Sequence, residues 1–133
     1  MIGNNKMKKS KLKDIKLIVT DLDGTLLHDN KSLDANIKNV IKEKNIPITF
    51  VSGRNVHIIQ NYIDELNITL PYITNNGANM FIADKCIYEC SIDAFELKKC
   101  LEILTAHKVA FLAYTNQTIY AVGEQLGLDA FKK

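Results

Sequence analysis

Short apolar runs rich in β-branched residues alternate, along the first half of the chain, with two segments whose apolar residues recur at helical spacing. The strand-like runs are Ile15–Thr20, Ile46–Val51 and Pro71–Thr74. A strand–helix–strand–helix–strand order predicts a parallel sheet with right-handed crossover connections, which is an α/β fold. Ligands of such sheets bind at the carboxyl ends of the strands, so the residues that follow each run are the candidates for a site.

Each of the two predicted helices is preceded by a residue that can cap it. Ser32 is predicted to cap a helix over Leu33–Lys44, whose C-terminal lysines suit the helix dipole. Asn55 is predicted to cap the second helix in the same way. The apolar face of this second helix comprises Val56, Ile59, Ile63 and Leu66.

The pattern changes after Gly77. Two strand-like runs predict a hairpin, a helix follows with Asp93 and Glu96 at capping-box spacing, and two more strands come after it. The strands are Asn79–Ile82, Cys86–Cys90, Val109–Tyr114 and Thr118–Val122, and the helix has Ala94, Leu97, Leu101 and Leu104 on its apolar face. We therefore divide the chain into a basic flexible tail over 1–14, an α/β part over 15–80 and an α+β part over 81–133, with a weakly helical pattern from Glu124 onward.

The composition excludes several classes of protein. The 17 basic and 15 acidic residues leave a net charge of +2, which is too balanced to argue for nucleic acid. No apolar run approaches the roughly 20 residues that cross a bilayer, and no secretory signal is visible. We therefore expect a cytoplasmic protein without a membrane or nucleic-acid partner. The 3 cysteines are odd in number and match no zinc spacing, which predicts reduced, structural thiols.

Two carboxylates stand where the first run ends, in Asp21-Leu22-Asp23-Gly24-Thr25. Residues two apart in an extended chain point to the same side, so Asp21 and Asp23 repel each other unless a cation neutralises them. Mg²⁺ favours such oxygen ligands, and the amides of a turn at Gly24 can face an anion. One carboxylate can attack phosphorus while the other transfers protons. A calcium loop is excluded because Ser32 stands at its twelfth position, and a surface turn remains the alternative.

Polar residues also follow the other two strands. Ser52-Gly53-Arg54 offers a hydroxyl, backbone amides before a helix and a guanidinium, all of which suit a phosphoryl group. Asn75-Asn76-Gly77-Ala78 follows the third strand, and Asn76 is predicted to contact substrate or to shape the loop. Each motif alone is typical of a plain loop. Three such segments at one edge of a parallel sheet together predict a phosphate site.

The stretch from Asp21 to Leu27, directly after its strand, resembles the first motif of the haloacid dehalogenase-like superfamily. Ser52-Gly53-Arg54 and the Asn-Gly-Ala stretch resemble further motifs of its Cof-type phosphatases. The resemblance runs from about Ile15 to Tyr120. It implies the N-terminal βαβαβ part of a Rossmann-like core, followed by the beginning of an α+β cap domain. It also implies a Mg²⁺-dependent phosphatase that forms an aspartyl-phosphate and acts on sugar, nucleotide or cofactor phosphates.

The same resemblance implies a role for each matching residue. Asp21 would be the nucleophile and Asp23 the general acid/base. Mg²⁺ would be bound by the Asp21 carboxylate and by the backbone carbonyl of Asp23. The phosphate-binding residues that it implies are Leu22, Gly24, Thr25, Ser52, Gly53, Arg54 and Asn76.

The family pattern also has a lysine motif and an acidic Gly-Asp motif after the cap, and neither is found in this sequence. We therefore expect a truncated or incomplete form that is inactive as an isolated chain, since losing one charge stabiliser costs on the order of a hundred- to a thousandfold. Ile15–Thr20 is then expected to be an exposed sheet edge, open to self-association. The alternatives are a non-catalytic phosphate- or metal-binding remnant or interaction subunit, and a phosphoacceptor signalling domain, although Asn75 and Asn76 stand where such a domain has its acceptor.

Overall fold

A computed structural model describes residues 15–116 and 118–123. Its elements follow the predicted order of strands and helices, and five of the seven strands are shorter than predicted. They are β1 (Ile18–Thr20), α1 (Ala35–Lys44), β2 (Ile48–Phe50), α2 (Val56–Leu66), β3 (Tyr72–Thr74), a 3-10 turn (Asn75–Gly77), β4 (Asn79–Ile82), β5 (Lys85–Glu89), α3 (Ala94–Ala106), β6 (Phe111–Tyr114) and β7 (Ile119–Val122). The predictions for the tail over 1–14 and for the weak helix from Glu124 concern residues outside the described ranges.

The first three strands run parallel, which confirms the α/β prediction. β1 pairs with β2 in parallel, Ile18 lying opposite Ile48. A parallel bridge between Val51 and Ile73 then places β3 on the other side of β2. β4 and β5 continue from β3 as antiparallel strands. The hairpin that was predicted within the α+β part thus hydrogen-bonds to a core strand, and the division of the chain near residue 80 stays a prediction.

β1 has the apolar, β-branched composition that is typical of a buried strand, but its side chains are largely exposed. Val19 is 54% exposed, and Leu17 and Ile15 are exposed as well. The reason is position in the sheet, because β1 is paired on one side only within the described residues. The expectation of an exposed edge at Ile15–Thr20 is confirmed, and this edge carries apolar side chains that a partner strand would cover.

The cap of α1 also differs from the prediction. Asp34 caps the helix, its Oδ1 accepting hydrogen bonds from the amides of Asn36 at 2.7 Å and Ile37 at 3.1 Å. Ser32 lies two residues earlier and is held in a loop, where its amide and its hydroxyl both donate to Asn30 Oδ1. The helix begins at Ala35, so Asp34 stands at the N-cap position and Ser32 lies two residues before it. The sequence offered Ser32 and Asp34 as capping residues, and the position of the first helical turn decided between them.

The core lies between the sheet and α2. This helix buries one whole face, including Ile59 and Tyr62, whereas α1 has no buried residue. β2 is buried at all three positions because it lies between two strands. The buried apolar residues are Leu22, Leu26, Leu27, Ile48, Phe50, Val56, Ile59, Tyr62, Ile63, Leu66, Ile68, Tyr72 and Phe81. All but one of them belong to the first 80 residues, so the βαβαβ unit holds most of the core.

The remaining elements are more exposed. Asp93 caps α3 as predicted, accepting from the amides of Phe95 at 2.9 Å and Glu96 at 3.4 Å. No residue of α3 is buried, and Leu97 on its predicted apolar face is exposed. β6 and β7 form the predicted antiparallel hairpin.

Two predictions from composition can be compared with the structure. Cys86, Cys90 and Cys100 are all free thiols, as expected. Among residues 15–116 and 118–123, no helix has the length and apolarity that crossing a membrane would require.

Asn55 links the core to the β6–β7 hairpin. Its side chain is fully buried, caps α2 by accepting from the His57 amide at 3.1 Å, and donates from Nδ2 to the Thr115 carbonyl at 3.0 Å. We expect Asn55→Ala to lower the free energy of unfolding by about 2 kcal/mol, since both the cap and the bond to Thr115 are lost. Asn55→Ser keeps a capping oxygen and should recover about 1 kcal/mol of this loss.

Urea unfolding followed by circular dichroism measures these differences. Asn39→Ala, on the exposed surface of α1, is the matched control and should change stability by less than about 0.5 kcal/mol. Equal losses for the alanine and serine variants would show that capping contributes nothing at Asn55.

Candidate functional site

A tight turn carries the two carboxylates away from β1. The Leu22 side chain is fully buried, and its carbonyl accepts hydrogen bonds from the amides of Leu26 at 3.0 Å and Leu27 at 2.9 Å. Gly24 has a φ of 69°, a left-handed conformation that glycine adopts without steric cost. Asp21, on the near side of Leu22, is exposed, and its Oδ1 accepts from the Leu22 amide at 2.7 Å. The buried leucine thus anchors a turn that presents Asp21 to solvent.

The second carboxylate, that of Asp23, binds a residue of the segment that follows β2. Arg54 binds Asp23 with two parallel bonds, Nε to Oδ2 at 2.6 Å and Nη2 to Oδ1 at 2.6 Å. Lys31 Nζ donates to the same Oδ1 at 2.8 Å. A bidentate guanidinium–carboxylate pair fixes both distance and orientation. Two of the three predicted segments are therefore joined directly through their charged side chains.

The third segment joins the second through the backbone. The Ser52 amide donates to the Ile73 carbonyl at 2.9 Å, and the Ser52 carbonyl accepts from the Asn76 amide at 3.3 Å. The Asn75 amide donates to the Arg54 carbonyl at 3.0 Å. Ser52 is buried, and its hydroxyl oxygen accepts from the Arg54 amide at 3.2 Å. These bonds hold the loop after β2 against the turn after β3.

Gly53 is required by the close approach of Asn76. A Cβ added at Gly53 would lie 2.7 Å from Asn76 Oδ1, which is closer than real Cβ contacts. Asn75 and Asn76 both have left-handed backbones, with φ of 50° and 55°, which asparagine tolerates better than most residues. The asparagines are therefore explained by their backbone conformation and the glycine by the Asn76 side chain, apart from any contact with a ligand.

The structure thus places all of the sequence-predicted site residues at the carboxyl ends of β1, β2 and β3. Asp23, Ser52, Arg54 and Asn76 are linked by the hydrogen bonds above, with Gly53 packed against Asn76. The other predicted residues, Asp21, Leu22, Gly24 and Thr25, form the adjoining turn. Leu22 can offer only its backbone to a ligand, since its side chain is in the core. The assigned roles in catalysis and phosphate binding stay predictions.

Two residues of this arrangement were not predicted from the sequence. Lys31 reaches Asp23 from the loop before α1, and the hydroxyl of the buried Tyr62 donates to the Lys31 carbonyl at 2.7 Å. The Asp23 carboxylate and, to a smaller degree, Tyr62 raise the pKa of the Arg54 guanidinium above its usual value. The only sequence signal for Tyr62 was a position on the apolar face of α2, which is the usual place of a core residue.

The Arg54 hydrogen bonds lower the pKa of the Asp23 carboxyl below its usual range; partial burial opposes this, and Lys31 adds to it. We expect Arg54→Gln to raise the pKa of Asp23 toward the ordinary value of about 3.9, measured by ¹³C NMR of the carboxyl. Lys38→Gln removes a comparable ion pair, that of Lys38 with Glu65 at 2.6 Å, and should leave the pKa of Asp23 unchanged.

The sign of the linked stability follows from this lowered pKa. A carboxyl that binds protons more weakly in the folded than in the unfolded protein stabilises the fold above its unfolded-state pKa. This contribution is lost as the pH falls through the folded-state pKa. Wild type and Arg54→Gln should therefore converge in stability in acid, and a gap that widens on acidification would contradict the assignment.

Carboxylate oxygens at this edge suit a hard cation. Mg²⁺ in proteins usually keeps several waters and takes only one or two carboxylates together with substrate phosphate oxygens. The exposed Asp21 carboxylate and the carbonyl of Asp23 could hold it in that way. Within residues 15–116 and 118–123, no group of three His, Cys, Asp or Glu side chains could enclose a metal. The described residues therefore fit a partial coordination shell.

Comparisons with known proteins agree with the fold. The chain is 31% identical over 118 residues to the Mycoplasma genitalium protein named "Putative phosphatase MG265", covering 85% of the chain and 42% of that protein. It is 42% identical over 69 residues to a glucosyl-3-phosphoglycerate/mannosyl-3-phosphoglycerate phosphatase of Methanococcoides burtonii, covering 50% of the chain and 25% of that protein. A haloacid dehalogenase-like hydrolase from Bacteroides thetaiotaomicron has the same fold, with a TM-score of 0.71 and 24% identity over 83% of this chain and 44% of that one.

The chain therefore spans less than half the length of these three proteins. The sequence profile of the haloacid dehalogenase-like hydrolases matches residues 18–131, which includes every element of the fold. This match confirms the resemblance found from the Asp21 and Ser52 motifs, and the chain belongs to the haloacid dehalogenase-like hydrolase family.

Proposed function

We propose that this chain carries the nucleophile half of a Mg²⁺-dependent phosphomonoester phosphatase that works through an aspartyl-phosphate on Asp21. The observation that carries the proposal is the meeting of three strand ends, which sets an exposed carboxylate beside a second carboxylate, a guanidinium and a serine. The family is one of hydrolases, and the relatives above are named phosphatases.

The chemistry assigned to each residue follows from its position. A carboxylate oxygen of Asp21 attacks phosphorus and the bond to the leaving oxygen breaks, which leaves an acyl phosphate. Asp23 gives a proton to the leaving oxygen and later takes one from the water that hydrolyses the acyl phosphate. Mg²⁺, when bound, offsets the negative charge that gathers between Asp21 and the phosphoryl oxygens.

The remaining groups bind and orient the phosphoryl group. Ser52 uses its oxygen to accept from the Arg54 amide, so its own O–H proton is the one it can donate to a phosphoryl oxygen. Arg54 holds Asp23 in place with two bonds. Asp23 is kept ionised by Arg54 and Lys31, so it must gain a proton before it can act as an acid.

The substrate is proposed by class. Phosphatase relatives indicate a small-molecule phosphomonoester, and the Methanococcoides burtonii protein is named for phosphoglycerates that carry a sugar. Sugar, nucleotide and cofactor phosphates remain candidates for this chain, and a cytoplasmic location is proposed with them. The activity of a whole phosphatase is likewise a proposal, because the matched relatives are more than twice as long as the matched part.

The test is phosphorylation of the chain by acetyl phosphate with and without Mg²⁺. An acyl phosphate survives acid quenching and is cleaved by hydroxylamine, so it is recognised without turnover. We expect slow, Mg²⁺-dependent labelling by one phosphoryl group, which mass spectrometry of peptides locates at Asp21. Labelling at another residue, or none in hours at millimolar acetyl phosphate, would overturn the proposal and favour a non-catalytic phosphate- or metal-binding remnant.

A further inference from the structure

The Asp23 carboxylate is bound by two cations. Arg54 occupies both of its oxygens and Lys31 binds one of them, at distances of 2.6 to 2.8 Å. One negative charge therefore faces two positive charges, and these three side chains together carry one net positive charge. An exposed ion pair with a single partner contributes little to stability and needs no functional explanation. A second cation on the same carboxylate is the feature to be explained.

The backbones of Lys31 and Arg54 are fixed by contacts other than those with Asp23. The Lys31 amide donates to the His28 carbonyl at 2.9 Å, and the Lys31 carbonyl accepts from the buried Tyr62 hydroxyl at 2.7 Å. Lys31 also has a φ of 65°, which is uncommon for a residue with a side chain. The Arg54 amide donates to the Ser52 hydroxyl oxygen, and the Arg54 carbonyl accepts from the Asn75 amide. The two side chains therefore extend from backbone positions that are fixed without the carboxylate.

Lys31 and Asp23 are open to solvent, whereas the Arg54 side chain is 20% exposed. The side chain of Lys31 is 48% exposed and that of Asp23 is 39% exposed. An oxyanion that arrives from solution can therefore reach the ammonium and the guanidinium, and can take over bonds that Asp23 makes in the free protein. Two adjacent donors of this kind suit the geometry of a carboxylate or phosphate group.

We infer that Lys31 and Arg54 form a subsite for a second oxyanion of the substrate, which is occupied in the free protein by the Asp23 carboxylate. This inference rests on the proposed function, since it concerns the substrate of that same site. The substrate class is then a phosphomonoester that also carries a carboxylate or a second phosphate. Lys31 is the specificity-determining residue, because its side chain is more exposed than that of Arg54, 48% against 20%.

The test compares two ligands that differ in one group, 3-phosphoglycerate and glycerol 3-phosphate. Dissociation constants are measured by NMR titration of the full chain with Mg²⁺ at constant ionic strength, following the Arg54 Nε–H signal. We expect wild type to bind the carboxylate-bearing ligand about fivefold more tightly. Lys31→Met should remove this preference and Lys31→Arg should keep most of it.

Two further variants separate a subsite from an ordinary ion pair. Asp23→Asn removes the competing carboxylate, so it should strengthen the binding of 3-phosphoglycerate severalfold. Lys38→Met, which breaks the ion pair with Glu65 on α1, should leave the preference unchanged. Thermal unfolding of each variant verifies that it is folded.

Equal affinities of wild type for the two ligands, no measurable binding of 3-phosphoglycerate, or an unchanged preference in Lys31→Met would each overturn the inference. The labelling of Asp21 by acetyl phosphate does not depend on whether Lys31 determines the ligand preference. Labelling of Asp21 without a ligand preference would refute the subsite alone, whereas a preference without labelling would refute the phosphatase proposal alone.

Discussion

Asp21→Asn should reduce the rate of acyl-phosphate formation by at least about a thousandfold, because an amide oxygen is a far weaker nucleophile than a carboxylate. The structure leaves the Asp21 carboxylate exposed at the end of β1, with one oxygen accepting from the Leu22 amide. Asparagine has the same shape and can accept the same bond, so the turn should be retained. The rate of labelling by acetyl phosphate under saturating Mg²⁺ measures the effect.

Two other variants test whether the effect on labelling is specific to Asp21. Asp29→Asn changes an exposed carboxylate a few residues along the same segment and should label at the wild-type rate. Asp23→Asn should still form the acyl phosphate from acetyl phosphate, whose leaving group needs little protonation, but should lose it more slowly to water. A labelled Asp21→Asn variant would mean that the nucleophile is another residue.

Phe50→Ala is expected to lower the free energy of unfolding by about 3 to 5 kcal/mol, the largest effect on stability among the substitutions considered. Phe50 is fully buried in β2, which lies between β1 and β3. Removing the ring leaves a cavity that two flanking strands and α2 cannot close by a local shift. Because small domains are stable by only about 5 to 15 kcal/mol, the transition in urea should move to much lower concentration.

The chain offers a matched control of the same residue type. Phe95, at the start of α3, is 65% exposed, and its ring packs under the Lys99 ammonium at 4.0 Å from the centroid. Phe95→Ala should cost less than about 1 kcal/mol. Phe50→Leu keeps most of the volume and should cost about 1 to 1.5 kcal/mol, so it remains measurable if the alanine variant does not fold. Similar losses at Phe50 and Phe95 would contradict the core described above.

Much of the fold could be predicted from local patterns in the sequence. Helical spacing of apolar residues identified α2 and its cap at Asn55, and the polar residues after Thr20, Val51 and Thr74 identified the ends of three strands. The errors lie where two local signals compete. Ser32 and Asp34 are both capping residues, and only the structure shows that the helix begins at Ala35, which leaves the cap to Asp34.

The candidate site was predicted as three segments, and the contacts within it were not. The Asp21 motif, the Ser52 motif and Asn76 could each be recognised because they follow a strand directly. Lys31 could not, because its distance from Asp23 depends on a loop closed by the Tyr62 hydroxyl, 31 residues further along the chain. No periodicity relates residues that far apart.

The sequence by itself determined the order of the strands and helices and the placement of Asp21, Asp23, Ser52 and Arg54 at strand ends. These depend on backbone preferences and on the spacing of apolar residues, which are properties of neighbours in the chain. Only the tertiary structure decided that Asp23 faces two cations and that Gly53 lies against Asn76. These depend on which elements pack side by side, because burial and electrostatic environment are set by residues distant in sequence.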